Sequence, residues 1–112
     1  MITQLQPSLQ TLLRERLHSS RAAIEKFCDR WQIIEVSLFG SVLRDDFKPD
    51  SDVDVLVVFA AGYSWHLFDL IDMQDELEQR FKRPVDLLQK KELINPYRRE
   101  TILKSHQVIY AK

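Results

Sequence analysis

The sequence predicts an α/β fold with one small sheet, in a single domain, and three observations lead there. Its 112 residues suit one compact domain with one modest core. Apolar residues recur at helical spacing in two long stretches and run almost unbroken in two shorter ones. Laid end to end, the segments read helix, strand, short turn, strand, helix, strand, helix, strand, an order that packs helices on a sheet.

Residues 8 to about 30 carry Leu9, Leu13, Leu17, Ile24, Phe27 and Trp31 close to a 3.6 period, with Pro7 near the start, where a helix tolerates it. They read as one amphipathic helix with a candidate break at His18-Ser19-Ser20. Ile33 to Phe39 is apolar and β-branched and stops at Gly40, while Val53 to Phe59 is nearly all Val, Leu and Phe; both read as buried strands. From Ser64 to Phe81, Leu67, Leu70, Ile71, Leu77 and Phe81 mark the apolar face of a second helix. Asp69, Asp72, Asp75, Glu76 and Glu78 mark its solvated face. Pro84 opens a short strand, Val85 to Gln89. Asn95-Pro96 is a cap followed by proline at the first helical position, which predicts a helix over 96–104. Val108 to Tyr110 reads as a last short strand.

Hydrophobic residues make up 45% of the chain and charged residues 29%, the balance of a folded soluble protein. Sixteen basic against seventeen acidic residues exclude a global electrostatic footprint for nucleic acid, so no direct nucleic-acid binding is expected. Only the pairs Lys90-Lys91 and Arg98-Arg99 offer a local patch for an acidic partner or RNA. The start, MITQLQPSLQ, lacks the basic and apolar regions of a signal peptide, and no apolar run approaches a membrane span; the expected location is the cytoplasm, with no membrane partner. Cys28, the single cysteine, cannot form an internal disulfide and reads as a buried, inert thiol. His18, His66 and His106 lack metal-ligand spacing and read as surface or capping residues.

The stretch "SLFGSVLRDDFKPDSDVDVLVVF", residues 37–59, is where chemistry enters. Asp45, Asp46, Asp50, Asp52 and Asp54 crowd between two apolar strands, offset only by Arg44 and Lys48. On a strand, residues i and i+2 point the same way about 7 Å apart, which sets Asp52 and Asp54 on one face. Two such carboxylates beside an apolar strand repel each other and raise each other's pKa unless a cation sits between them. A hard divalent cation such as Mg²⁺, which takes carboxylate oxygens and keeps positions open for phosphate, answers that need. Asp86, second in the strand "VDLLQ", is the candidate third ligand; the alternative is that it pairs with Arg83 or Lys82. Asp46 and Asp50 read as solvated loop charges.

Gly40-Ser41 ends the first of those strands and precedes a segment able to make a helical turn. Glycine lets a phosphate approach closely, the turn exposes backbone N–H groups, and Ser41 adds a hydroxyl donor. Arg44 can reach a phosphate tail, or it can neutralise Asp45 or Asp46. Ser41 lacks a nucleophile elbow, which makes a serine hydrolase improbable.

Gly40-Ser41, ten residues, then Asp52-Val53-Asp54 resembles the signature of the DNA polymerase beta-like nucleotidyltransferase superfamily. The short chain further resembles the minimal nucleotidyltransferase (MNT) proteins, the antitoxin halves of HEPN/MNT toxin–antitoxin pairs. The resemblance implies a polymerase beta-like α/β (α+β) fold, a small mixed β-sheet with helices packed on it, in one domain spanning residues 1–112. Residues 1–31 would be an N-terminal helical segment without family-specific residues, and 32–112 the catalytic core. It implies transfer of AMP from ATP to a tyrosine hydroxyl of a HEPN-type ribonuclease toxin. Gly40, Ser41 and Arg44 would then hold the nucleotide, Asp52 and Asp54 would bind two Mg²⁺ ions, and Asp86 would complete the metal site and help activate the acceptor. One position departs from the family pattern, Asp45, where relatives often have glycine. Two other readings stand beside this one: an antitoxin that neutralises its toxin by binding alone, and adenylylation of a small molecule.

Overall fold

Ser20 divides the first helical stretch in two. The computed structural model describes residues 7–112, and residues 1–6 of the N-terminal segment lie outside them. Within them α1 spans Pro7–Leu17 and α2 spans Arg21–Trp31. Between the two, His18 adopts φ +51°, and an extended Ser20 accepts the Ala23 N–H at 3.2 Å, capping α2. The break predicted at His18-Ser19-Ser20 is therefore present.

The chain continues as β1 (Ile33–Phe39), β2 (Val53–Phe59), α3 (Leu67–Phe81), β3 (Val85–Gln89), α4 (Pro96–Ser105) and β4 (Gln107–Ala111). The four strands form one mixed sheet in the order β3-β2-β1-β4, with β1 antiparallel to β2 and β4, and β2 parallel to β3. The first three strands match the predicted limits, because each is a short apolar run closed by a turn or a polar residue.

Helix α3 departs from the sequence reading at two points. It begins at Leu67 rather than Ser64, because His66 and Asp69 close a capping box there. Its buried stripe is Met73, Leu77 and Phe81, while Leu67 is 69% and Ile71 43% exposed. The acidic face is also less solvated than expected. Glu76 accepts from Arg30 and from the Trp31 indole, both at 3.2 Å, and ties α3 to α2.

Strand alternation sorts the sheet into two faces. Val53, Val55 and Val57 join Leu13, Leu17, Ile24, Phe27, Met73, Leu77 and Phe81 in the main core, so α1, α2 and α3 cover one face. Leu56 joins Phe39, Leu93 and Ile102 in a smaller cluster under α4 on the other. Cys28 is fully buried in the main core, and burial pushes its thiol well above the ordinary range, which makes it the inert thiol expected. Among the described residues no helix is long and apolar enough to cross a membrane.

Candidate active site

Phe39 ends β1 in extended backbone, and Gly40–Leu43 follows as a single 3₁₀ turn closed by the Arg44 N–H on the Ser41 carbonyl at 2.9 Å. Gly40 starts it at φ +77°, a region that costs a residue with a Cβ and costs glycine nothing. Space makes the same demand: a Cβ added there would overlap Asp54 Oδ2. The glycine thus lets the turn lie directly against the aspartate. A cavity of about 490 Å³ opens against this turn, with Gly40, Leu43, Arg44, Leu9, Leu12 and Gln107 among its walls.

Asp54 and Asp86 are brought together by strand pairing. They are Cα partners in the parallel β2–β3 ladder, where neighbouring strands run about 4.8 Å apart. Alternation puts Asp54 on the face of Leu56 and Asp86 on the face of Leu88, so both carboxylates emerge on the side that α4 covers. Asp52 lies just ahead of β2 and is exposed, as is Asp86, while Asp54 is half-buried. Burial raises the Asp54 carboxyl above its ordinary value, and the charges of Asp86 and then Asp52 raise it further. The stronger carboxylate coupling therefore runs across the strands to Asp86, rather than along β2 to Asp52.

The alternative pairing of Asp86 is not made. Arg83 donates instead to the carbonyls of Lys48 and Arg16, at 2.6 and 3.3 Å, and among the described residues Asp86 has no ion pair. On the outer side of β3, Glu78 accepts the Val85 N–H at 2.8 Å and Gln74 the Leu87 N–H at 3.4 Å. Glu78 thus serves the sheet, against the reading of it as solvated surface.

Arg44 takes one of its two anticipated partners. It pairs with Asp46 at 3.1 Å, so Asp46 is not a free loop charge, although both side chains stay well exposed. Exposed pairs are worth about 0–1 kcal/mol, too little to withhold the guanidinium from an incoming polyanion.

The basic pairs split up. Lys90 binds Glu35 at 3.1 Å, and Arg99 donates to the carbonyls of Lys90 and Leu93, so both are engaged within the fold. Arg98 is the functional candidate that sequence reading assigned elsewhere. It lies one turn before Ile102 on α4, and Ile102 packs in the cluster beneath that helix. Its charge pulls the Asp54 carboxyl downward, against the carboxylates that push it up. The Asn95-Pro96 cap announced where α4 starts, but nothing local to the sequence announced which strands it crosses.

The donors suit a hard divalent cation. All are carboxylate oxygens, and negative charge on Asp54 is disfavoured by the two acids around it. Among the described residues no three His, Cys, Asp or Glu side chains converge as a ready-made metal cluster, so the aspartates do not form a closed cage as they stand.

A nucleotidyltransferase domain model matches residues 20–109. The chain is 30% identical over 74 residues to a Methanocaldococcus jannaschii protein named as a protein adenylyltransferase, an overlap of 66% of this chain and 74% of that one. A solved structure named as a minimal nucleotidyltransferase aligns with a TM-score of 0.62 at 32% identity, over 78% of this chain and 86% of that one. The MNT antitoxin complex with a tri-AMPylated Shewanella oneidensis HEPN toxin aligns with a TM-score of 0.56 at 15% identity, over 82% and 70% of the two chains, a likeness of fold.

Proposed function

This chain belongs to the nucleotidyltransferase domain family, and we propose that it transfers AMP from ATP to a tyrosine hydroxyl of a HEPN-type ribonuclease toxin and so acts as its antitoxin. The observation that carries the reading is the contact between the two halves of the site. The Gly40 turn lies against Asp54, and Asp54 lies beside Asp86 on the next strand. A phosphate held at Gly40 and Ser41 would therefore sit next to the carboxylates.

Each residue has a part that follows from its place. The turn amides, the Ser41 hydroxyl and Arg44 hold the triphosphate, and the cavity against the turn has room for the nucleoside. Asp52, Asp54 and Asp86 would hold two Mg²⁺ ions, which supply neutralising charge to the α-phosphate and to the departing pyrophosphate. Asp86, exposed on the β3 side, accepts the proton of the attacking hydroxyl. The hydroxyl oxygen forms a bond to the α-phosphorus, the bond to the bridging oxygen of pyrophosphate breaks, and AMP stays on the acceptor. The toxin as acceptor is supported by the protein-adenylyltransferase name of the relative and by the AMPylated toxin in the structural neighbour.

Intact mass spectrometry of the chain and a HEPN-type partner, incubated with ATP and Mg²⁺, tests the proposal. Added AMP masses on the partner support it, and peptide mapping tests the tyrosine assignment. An unmodified partner in a stable complex, with other triphosphates and Mn²⁺ also tried, would replace transfer by neutralisation through binding.

Asp86→Ala separates the roles of that residue. Transfer is expected to fall by about two orders of magnitude or more, as for loss of a general base, with the melting temperature held because Asp86 is exposed and unpaired. A lower melting temperature with undiminished turnover would make the residue structural.

A further inference from the structure

The phosphate turn is held from outside itself. It is four residues long, and a single 3₁₀ turn of that length does not keep its own shape. Helix α1 supplies the constraint. Arg16 Nη1 donates to the carbonyl of Val42 at 2.8 Å and to that of Arg44 at 2.6 Å, gathering the far end of the turn onto one guanidinium. The helix itself is anchored by Leu13 and Leu17, both fully buried in the core.

A second arginine closes the arrangement. Arg83, three residues before Asp86, donates through Nε to the Arg16 carbonyl and through Nη1 to the Lys48 carbonyl. Phe47 lies between the two, its ring centroid 4.0 Å from the Arg83 guanidinium carbon and 5.4 Å from that of Arg16. Cation–π contact and hydrogen bonds thus join α1, the phosphate turn, the loop behind it and the entry to β3. The family match begins at residue 20, so Arg16 stands ahead of the matched region.

We propose that Arg16 and Arg83, closed around Phe47, are positioning residues that fix the phosphate turn relative to the entry of β3, the strand bearing Asp86, before the nucleotide arrives. The inference rests on the nucleotidyltransferase reading, since it gives the turn a triphosphate to hold. A triphosphate is held in both ground and transition states. A loosened turn therefore costs binding more than turnover.

The test measures binding and transfer separately: calorimetric affinity for an α,β-methylene ATP analogue with Mg²⁺, and KM and kcat for transfer, both below the melting temperature of each variant. Arg16→Ala is expected to raise the dissociation constant and KM about tenfold with kcat changed less than about threefold, the pattern of lost uniform binding. Arg16→Lys, able to donate to a carbonyl but without the planar fork, recovers part of the affinity. Phe47→Leu, which keeps both carbonyl contacts, weakens binding less and stands in should Arg16→Ala not fold. Arg14→Ala, on an exposed position of the same helix, leaves all values unchanged. Lower melting temperatures with unchanged affinity and KM in Arg16→Ala and Phe47→Leu would make the clamp merely structural and overturn the inference. Wild-type protein that binds neither this analogue nor another triphosphate would overturn the nucleotidyltransferase reading itself, a distinct result.

Discussion

The Asp52→Asn, Asp54→Asn double variant is expected to lose AMP transfer entirely while folding as well as the parent, or better. The activity loss follows because Asp54 lies against the turn that would hold the phosphates, Asp52 is the next carboxylate along the same segment, and their charge is what a cation-dependent phosphoryl site needs. The stability gain follows from the direction of the Asp54 shift. Its carboxyl titrates above its ordinary value in the folded chain, so its contribution to stability is fully present below the unfolded pKa. That contribution is lost as pH rises through the raised folded value. At neutral pH without a divalent cation the ionised Asp54 carboxylate therefore opposes folding, and asparagine at that position relieves it. Thermal melts from pH 3 to 8 in EDTA check this: the parent should lose more stability with rising pH across the carboxylate range than the variant does. Equal pH dependence would remove Asp54 as the source, and undiminished transfer would end the metal-site assignment.

Gly40→Ala is the second variant with a large expected effect, and its damage should be divided unequally between stability and function. Left-handed backbone costs a residue with a Cβ about 1–2 kcal/mol, which a domain of this size can survive. The added methyl would also overlap Asp54 Oδ2, so the carboxylate or the turn must move. Displacement by about 1 Å in a site of this kind costs on the order of a hundredfold in rate. Transfer should thus fall far more than a modest drop in melting temperature accounts for. A variant with near-parental kcat/KM would show that the contact between turn and aspartate is not needed.

What could be read from the chain alone divides along local and non-local lines. Strands β1, β2 and β3 were legible because short, mostly apolar and β-branched runs bounded by turn or polar residues admit few other structures. The break at Ser20 and the start of α4 at Asn95-Pro96 were legible because caps are local chemistry. The buried stripe of α3 was not. Leu67, Leu70, Ile71, Leu77 and Phe81 form a broad apolar arc, and the side on which the sheet lies decides that Leu77 and Phe81 are covered with Met73 while Leu67 and Ile71 are not.

The candidate site divides in the same way. Gly40, Ser41, Asp52 and Asp54 fall within fifteen residues and announce themselves. Asp86 could be nominated, but its place opposite Asp54 depends on a parallel pairing that strand composition does not specify. Arg16 gave no signal at all, and Arg98 was legible only as half of a basic pair suited to an acidic partner or RNA. Arg16 acts on carbonyls 26 and 28 residues away, and Arg98 acts by charge from a helix whose path over the sheet is tertiary.

The side chains of Glu78 and Gln74 along the rim of β3 bear on how faithfully the fold is read out. A parallel outer strand with unclaimed amides could slide by one residue or accept a foreign strand. A one-residue slide would turn Asp86 toward the helices and Val85 toward solvent, leaving a folded but chemically blank protein. Because the amides of Val85 and Leu87 are each claimed by a side chain of the preceding helix, that misalignment would forfeit both bonds at once. Helix α3 therefore proofreads the alignment of the strand that follows it, and the spacing of two ordinary side chains on its surface decides which way an aspartate points.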